Sequence, residues 1–134
     1  MMNFIKKFAA SKPKDQALND FERLFLKAMH DPSAREGFYL ALLNTDLYVG
    51  GRIQAPGEAN LQYYDFAGEK ILPVFSHRDR LKSVLGPEAP TLTFKGLDLI
   101  KLLKSGQGMA LNPYSEFGRE FDFLELEEIL KKAD

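Results

Sequence analysis

The sequence predicts a mixed α/β fold of the α+β kind, in which a single-layer mixed sheet of about five strands is flanked by helices. Apolar residues recur at helical spacing through residues 17–44. A hairpin pattern follows at 61–75, and from there strand and helix patterns alternate. Because a hairpin pairs antiparallel and alternating elements pair through parallel crossovers, we expect the element order α-α-β-β-β-α-β-α-β-α.

The size and composition of the chain fit one domain. A chain of 134 residues with 45% hydrophobic residues can bury a core of its own. We expect that domain to cover residues 16–134. The preceding residues 1–15 are expected to form a tail or a short amphipathic helix, in which Phe4, Ile5 and Phe8 share one side.

The charge balance and the missing cysteines exclude several classes of function. Eighteen basic residues against nineteen acidic ones give a net charge of −1, with no basic cluster that would suit nucleic acid. No apolar run approaches the roughly 20 residues that cross a bilayer. Without cysteine there are no disulfides, thiol nucleophiles or thiolate metal sites. We therefore expect a cytoplasmic protein that binds neither nucleic acid nor membranes.

Two helices open the predicted domain. The first covers residues 17–30, where apolar side chains recur every three or four positions: Leu18, Phe21, Leu24, Phe25 and Met29. The second covers 34–44, because Ser33 and Glu36 match the capping box that begins many helices. We expect this pair to cover one side of the sheet.

Three strands are predicted next, at 47–51, 61–66 and 71–75, and the last two form a hairpin. Between the first two strands, residues 52–60 are predicted to be a loop that turns at Pro56-Gly57. Pro73 lies inside the third strand. Since proline has no N–H to donate, we expect it at a sheet edge or a bulge.

The rest of the chain alternates helices and strands. Helices are expected over 77–85, over 96–105 and after Asp122, with strands at 91–94 and 108–111. Ser76 is expected to cap the first of these helices, and Gly106 to stop the second. Asp122 and Glu125 match a capping box at the start of the last helix.

No catalytic set stands out in the sequence. The neighbours Ser76 and His77 cannot face each other on a helix, and His30 suits the C-terminal end of the first helix. Glu125 and Glu128 are typical of a solvated helix face rather than of a metal site. The paired glycines lack the spacing of a phosphate-binding loop. We expect no catalytic residue, no cofactor and no metal.

The segment ALNPYSEF, residues 110–117, allows two interpretations. Pro113 restricts Asn112 to an extended backbone, and the Asn112 side chain can cap its own turn, so the segment works as a plain strand exit. Tyr114 and Phe117 then place two aromatic side chains in what should be a surface loop. Such loops carry much of protein function, and aromatic residues are common interface anchors, so the segment also predicts a binding loop.

Several stretches resemble the N-terminal domain of the SseB family of bacterial proteins. They are LPVFSHRDRL (72–81), GLDLIKLLKSGQGMALNPYSEFGREF (96–121) and, upstream, FYLALLNTDLYVGG (38–51). The family pattern has a PVF-S/T strand ending, a G–D–L helix, and a glycine turn before an apolar run that ends in NP. The resemblance extends from residue 20 to residue 133 and departs from the pattern at YVGG, where the family often has proline after the valine.

The resemblance implies a mixed α/β domain without a known reaction. The family is named for enhanced serine sensitivity when the protein is overproduced, and no accepted reaction goes with it. The loop residues that match its pattern are Asn112, Pro113, Ser115, Glu116 and Phe117, and the family assigns none of them a proven role. The resemblance therefore favours a non-catalytic role.

Two functions remain open at this point. The first is a non-catalytic cytoplasmic protein-interaction module, such as a toxin-neutralising or regulatory protein, whose partner is another protein or a second copy of the chain. Its contacts would come from loop 112–117, including Tyr114. The second is an amino-acid-binding protein or an enzyme linked to serine metabolism. A carboxylate and an amine would then contact a set of polar side chains: Arg52, Asn112, Ser115 and Arg119.

Overall fold

The computed structural model describes residues 16–103 and 106–133, and within them the chain forms a mixed α/β fold. The helices are α1 (Asp20–His30), α2 (Arg35–Asn44), α3 (Arg78–Leu85), α4 (Gly96–Leu102) and α5 (Phe123–Lys131). The strands are β1 (Asp46–Ala55), β2 (Glu58–Leu61), β3 (Tyr64–Phe66), β4 (Glu69–Val74), β5 (Thr91–Lys95), β6 (Gly108–Leu111) and β7 (Arg119–Phe121). The predicted fold class is confirmed, and the element order matches in outline. The predictions for residues 1–15 lie outside the described residues.

The strands form two sheets instead of the single sheet expected. One has the order β2-β1-β5 and is antiparallel, and the other has the order β3-β4-β6-β7 with β4 and β6 parallel. A bridge between Tyr48 and Phe75 joins them, with both N–H···O distances at 2.8 Å. The parallel pair and the hairpin of β3 and β4 confirm the expected mixture of strand directions.

Two strands, β2 and β7, were not predicted. Residues 52–60 were expected to be a loop, but β1 continues to Ala55 and pairs with β2 across the turn at Pro56-Gly57. This hairpin is largely exposed, so it lacks the alternation of apolar and polar residues that predicts a half-buried strand. Strand β7 has only three residues, which is too short for a recognisable period.

Pro73 lies in an interior strand, not at the sheet edge or bulge that was expected. It pairs with Ala110 in the parallel ladder between β4 and β6. On the other side of β4, pairing with β3 ends at Ile71 and the bridge to Tyr48 lies at Phe75. Pro73 falls between those two points, so its missing N–H costs no ladder hydrogen bond with β3.

The helix caps differ from the sequence predictions at two of three places. Asp122 does cap α5, since its Oδ1 accepts from the N–H of Glu125 at 2.8 Å. The Ser33–Glu36 capping box is wrong, because Asp31 caps a short 3-10 helix that includes Ser33 and leads into α2. The cap of α3 is His77, whose Nδ1 accepts from the N–H of Asp79 at 3.0 Å, and not Ser76.

The end of α4 also differs from the prediction. The helix ends at Leu102, because Leu103 already has extended backbone angles. It therefore stops before the predicted position at Gly106, which does have the positive φ of a turn glycine, +88°.

The apolar core lies between the helices and one face of the sheets. The ring of Phe38 on α2 lies 5.4 Å from that of Phe21, 5.5 Å from that of Phe25 and 6.4 Å from that of Phe121. Burial of each such side chain contributes about 1.5–3 kcal/mol, so these rings hold α1, α2 and β7 together. In residues 16–103 and 106–133, no helix is long and apolar enough to span a membrane.

Candidate functional site

Three segments of the chain meet at the carboxyl ends of the parallel strands β4 and β6. They are the start of α1, the connection from β4 to α3, and the connection from β6 to β7. Ligand sites commonly form at this edge of parallel sheets, because the strand ends bring their loops together. Four polar side chains occupy it here and are called the polar junction: Glu22, Ser76, Arg80 and Asn112.

Glu22 is the centre of the polar junction and is fully buried. The Arg80 guanidinium binds its carboxylate as a fork, with Nε–Oε2 and Nη2–Oε1 distances both at 2.7 Å. The Ser76 hydroxyl donates to Oε2 at 2.5 Å, and the N–H of Leu18 donates to Oε1 at 2.8 Å. Four donors therefore satisfy one buried carboxylate, as a charge away from water requires.

The protonation of Glu22 follows from these contacts. Burial by itself would raise the pKa of Glu22, because it disfavours the charged form. Hydrogen bonds from Arg80, Ser76 and Leu18, together with the positive charge of Arg80, outweigh burial and hold the pKa below its ordinary value of 4.5. Glu22 is therefore ionised at neutral pH, and each of its carboxylate oxygens accepts two hydrogen bonds within the fold.

Asn112 connects the two strand exits. Its Oδ1 accepts from the N–H of Ser76 at 2.9 Å, and its Nδ2 donates to Ser76 Oγ at 2.8 Å and to the carbonyl of Phe117 at 3.1 Å. The φ of Asn112 is +45°, so the extended backbone expected before Pro113 is wrong. Asparagine tolerates this left-handed region better than most residues, and the side-chain hydrogen bonds hold it there.

The rest of loop 112–117 folds against itself. The N–H of Ser115 donates to the carbonyl of Asn112, and Ser115 Oγ accepts from the N–H of Phe117, both at 3.1 Å. The Phe117 side chain is buried in the core with Arg80 stacked on its ring at 4.9 Å, so the expectation of a surface aromatic is wrong at this position. Pro113 is also buried, whereas Glu116 is exposed.

Tyr114 is the aromatic residue that loop 112–117 leaves partly exposed. Its φ is +69°, a left-handed conformation that is rare for a bulky side chain. It packs beside Ile71 and Ala110, on the sheet face opposite the main core. A cleft of about 210 Å³, called the Tyr114 cleft, is lined by residues from three segments: Leu18, Asp79, Arg80, Ser83, Pro113, Tyr114 and Ser115.

The two arginines proposed for amino-acid binding lie apart from the junction. Arg52 is exposed on β1 and pairs with Asn60 in the three-stranded sheet. Arg119 is on β7, where Nη2 lies 2.5 Å from Glu125 Oε2 and the guanidinium stacks 4.2 Å from the Phe121 ring. Of the four residues predicted for that site, the hydrogen bonds join only Asn112 and Ser115.

Sequence reasoning missed three of the four members of the polar junction, Glu22, Ser76 and Arg80. The sequence does distinguish Glu22, because it is a charged residue at helical spacing from the apolar residues Leu18 and Phe25. A charge on the face of a helix that is otherwise apolar indicates a buried polar contact. Across the two described ranges, no group of three or more His, Asp or Glu side chains is placed to hold a metal ion. The hydrogen bonds of Asn112 to Ser76 and Phe117 fix the geometry of the loop that carries Tyr114.

Comparison with known protein families identifies a domain family that covers most of the chain. The model of the SseB protein N-terminal domain matches residues 22–128, which is most of the chain. No curated protein and no solved structure matches the chain. The matched range includes the whole polar junction and the Tyr114 segment.

Proposed function

This chain belongs to the SseB N-terminal domain family, and we propose that it is a non-catalytic protein-interaction module whose partner docks at the Tyr114 cleft. The partner in this proposal is another protein in the bacterial cytoplasm, with a second copy of the chain as the alternative. A toxin-neutralising or regulatory protein is one form that such a module takes.

The backbone of Tyr114 is the observation that carries the proposal. A tyrosine held at a φ of +69° costs about 1–3 kcal/mol relative to an ordinary conformation. Such strain persists where the surrounding structure fixes it, and it is concentrated at functional sites. The hydrogen bonds of Asn112 and Ser115 on either side provide that fixation. The strain therefore supports a binding role for the ring.

The surroundings of Tyr114 suit a protein surface. Leu18 lines the cleft and is 44% exposed, which offers an apolar contact beside the Tyr114 ring. Asp79, whose side chain is 73% exposed, offers a charged group in the same lining. A cleft with an aromatic anchor, an exposed leucine and a polar rim resembles the usual anatomy of an interface centre.

The polar junction supports a structural role over a catalytic one. A general base needs a pKa near the working pH and a free lone pair for the proton. Glu22 has a lowered pKa and accepts four hydrogen bonds, so it is a poor base. This supports the view that the junction holds the Tyr114 loop in place and carries no chemistry of its own.

A matched pair of leucine variants tests the proposal. We expect the tagged wild-type chain to retain a stoichiometric protein from a bacterial lysate, identified by mass spectrometry. Leu18→Ser, in the cleft, should reduce the retained amount at least about tenfold, as expected for an interface anchor. Leu40→Ser is the control, because Leu40 has a similar exposure of 40% but lies on α2 outside the cleft.

Two outcomes would contradict the proposal. If the wild-type chain retains no protein and also shows no self-association, the interaction class is wrong. If both serine variants retain the partner equally, the protein is still an interaction module, but the partner does not bind at the Tyr114 cleft.

A further inference from the structure

A second pocket lies between α1, α2 and β7, away from the Tyr114 cleft. It has a volume of about 150 Å³ and is called the arginine pocket. Its walls combine aromatic and aliphatic side chains with two guanidinium groups: Phe25, Met29, Arg35, Phe38, Tyr39 and Arg119. It shares no lining residue with the Tyr114 cleft, so the two sites can be tested separately.

The guanidinium of Arg119 is only partly used by the fold. Its Nη2 pairs with Glu125, and its plane stacks on Phe121. Its Nη1 is buried and has no hydrogen-bond partner within residues 16–103 and 106–133. A buried donor without an acceptor is costly, and a charged donor more so. The Arg119 guanidinium, whose side chain is 31% exposed, therefore keeps positive charge that hydrogen bonds within the described residues do not fully compensate.

The charges around the pocket favour an anion. Glu125 accepts from both Arg119 and the Tyr39 hydroxyl, the latter at 3.1 Å, so one carboxylate serves two donors. Arg35 is a second cation in the lining, and its hydrogen bond to the Ala28 carbonyl is long at 3.5 Å. Lys132 lies near the Tyr39 ring but is paired with Glu36 at 2.9 Å.

The protonation state of Tyr39 is also compatible with a bound anion. Burial raises the pKa of Tyr39 most, and the nearby charge of Glu125 raises it further. The charges of Arg119 and Arg35 act in the opposite direction, so both guanidinium groups lie within electrostatic reach of the Tyr39 hydroxyl. Tyr39 therefore stays neutral and adds no negative charge that would oppose an anion.

The apolar walls of the arginine pocket further restrict the chemical classes of ligand that fit. Phe25, Phe38 and Met29 offer no hydrogen bonds from their side chains, so the part of the ligand beside them must be apolar. We propose that the arginine pocket binds a carboxylate on a short apolar body, with the guanidinium groups of Arg119 and Arg35 as its two positive charges. The carboxylate comes either from a free small acid or from the C-terminus of a peptide chain.

Titration with propionate tests this proposal. We expect propionate to raise the melting temperature of the chain saturably and to shift the NMR signal of the Met29 methyl group, whereas propionamide, which has the same shape and no charge, does neither.

Arg119→Lys keeps the positive charge but loses the planar guanidinium group, and should weaken propionate binding about tenfold or more. Arg35→Gln, at an exposed position, should weaken it less and keeps the test valid if Arg119→Lys unfolds. Arg52→Lys is the control and should change nothing.

A second titration distinguishes the two sources of the carboxylate. The tripeptide Ala-Ala-Val with a free C-terminus is compared with its C-terminal amide. Tighter binding of the free tripeptide than of propionate supports a peptide chain as the source, and binding of propionate alone supports a free acid. The proposal is overturned if neither carboxylate saturates at tens of millimolar, if propionamide binds as well as propionate, or if Arg119→Lys and Arg35→Gln both bind like Arg52→Lys.

Discussion

Replacing Glu22 with glutamine is expected to lower the free energy of unfolding by about 3–5 kcal/mol at neutral pH. The substitution leaves the Arg80 guanidinium, which is only 11% exposed, without its counter-charge. It also places an amide N–H₂ where Ser76 and Arg80 now donate, so donors would face donors. Removing one partner of a buried ion pair is costly for both reasons, even where the pair itself contributes little. Urea unfolding of wild type and E22Q measures the difference.

The pH dependence of the same difference provides an internal check. Because the folded-state pKa of Glu22 lies below 4.5, the stability from its ionised form is complete above that value. It is lost as the pH falls through the folded-state pKa, so the gap between wild type and E22Q should close in acid. Asp20→Asn, on the same helix, is the control, since the Asp20 side chain is 97% exposed and its ion pair with Arg23 lies at the surface. A loss below about 1 kcal/mol in E22Q, similar to that in D20N, would contradict this description of the junction.

Replacing Gly118 with alanine is expected to destabilise the fold by about 3 kcal/mol, at the upper end of overpacking effects. A Cβ atom at this position would lie 2.6 Å from the carbonyl oxygen of Leu111 and closer still to that of Asn112. Both obstacles are backbone atoms at the end of a buried strand, so they cannot move aside as a flexible side chain can. The loop would have to leave its present position, and the Asn112–Phe117 hydrogen bond would be lost with it.

Gly37→Ala is the matched control for that substitution. Gly37 lies in α2, and a Cβ atom there would meet nothing within 4 Å. Alanine is preferred over glycine inside helices, so G37A should stabilise the chain by about 0.5–1 kcal/mol. Thermal or urea unfolding of the two variants should therefore give changes of opposite sign. A G118A variant as stable as wild type would mean that loop 112–118 is not packed tightly against β6.

The sequence was a good guide wherever one residue pattern determined one element. Helical spacing of apolar residues located α1 and α2, and the Asp122 cap located the start of α5. These signals are local, because a helix makes its own hydrogen bonds and shows its buried face every three or four residues. The β3–β4 hairpin was found for the same reason, since both arms lie close together in the chain.

Long-range pairing is what the sequence could not provide. Asn112 and Ser76 are 36 residues apart, and Glu22 and Arg80 are 58 apart, so no local pattern connects them. Ser76 illustrates the ambiguity: a serine before a helix is normally a cap, but here His77 takes that role and Ser76 is buried. The left-handed Asn112 likewise depends on tertiary hydrogen bonds that a local rule about Pro113 omits.

The hydrogen bonds of the polar junction give a physical reason why the loop that carries Tyr114 holds one shape. Hydrogen bonds of Asn112 to both Ser76 and Phe117 fix where β6 ends and where the loop returns. Tyr114 lies between these fixed points, so its orientation costs little further entropy on binding. Such pre-organisation raises affinity without adding contacts. We therefore expect the affinity for the partner to depend on the ring of Tyr114, and the free energy of unfolding to depend on the polar junction.

The affinity of the captured partner for the Tyr114→Asn variant tests directly whether the ring of Tyr114 takes part in binding. Asparagine adopts the left-handed backbone more readily than tyrosine, so the loop should keep its shape while the ring is removed. We expect the dissociation constant, measured by calorimetry, to rise at least about tenfold, while that of the Leu40→Ser control stays unchanged. An unchanged dissociation constant for Tyr114→Asn would contradict the account, because the strained tyrosine would then have no part in binding.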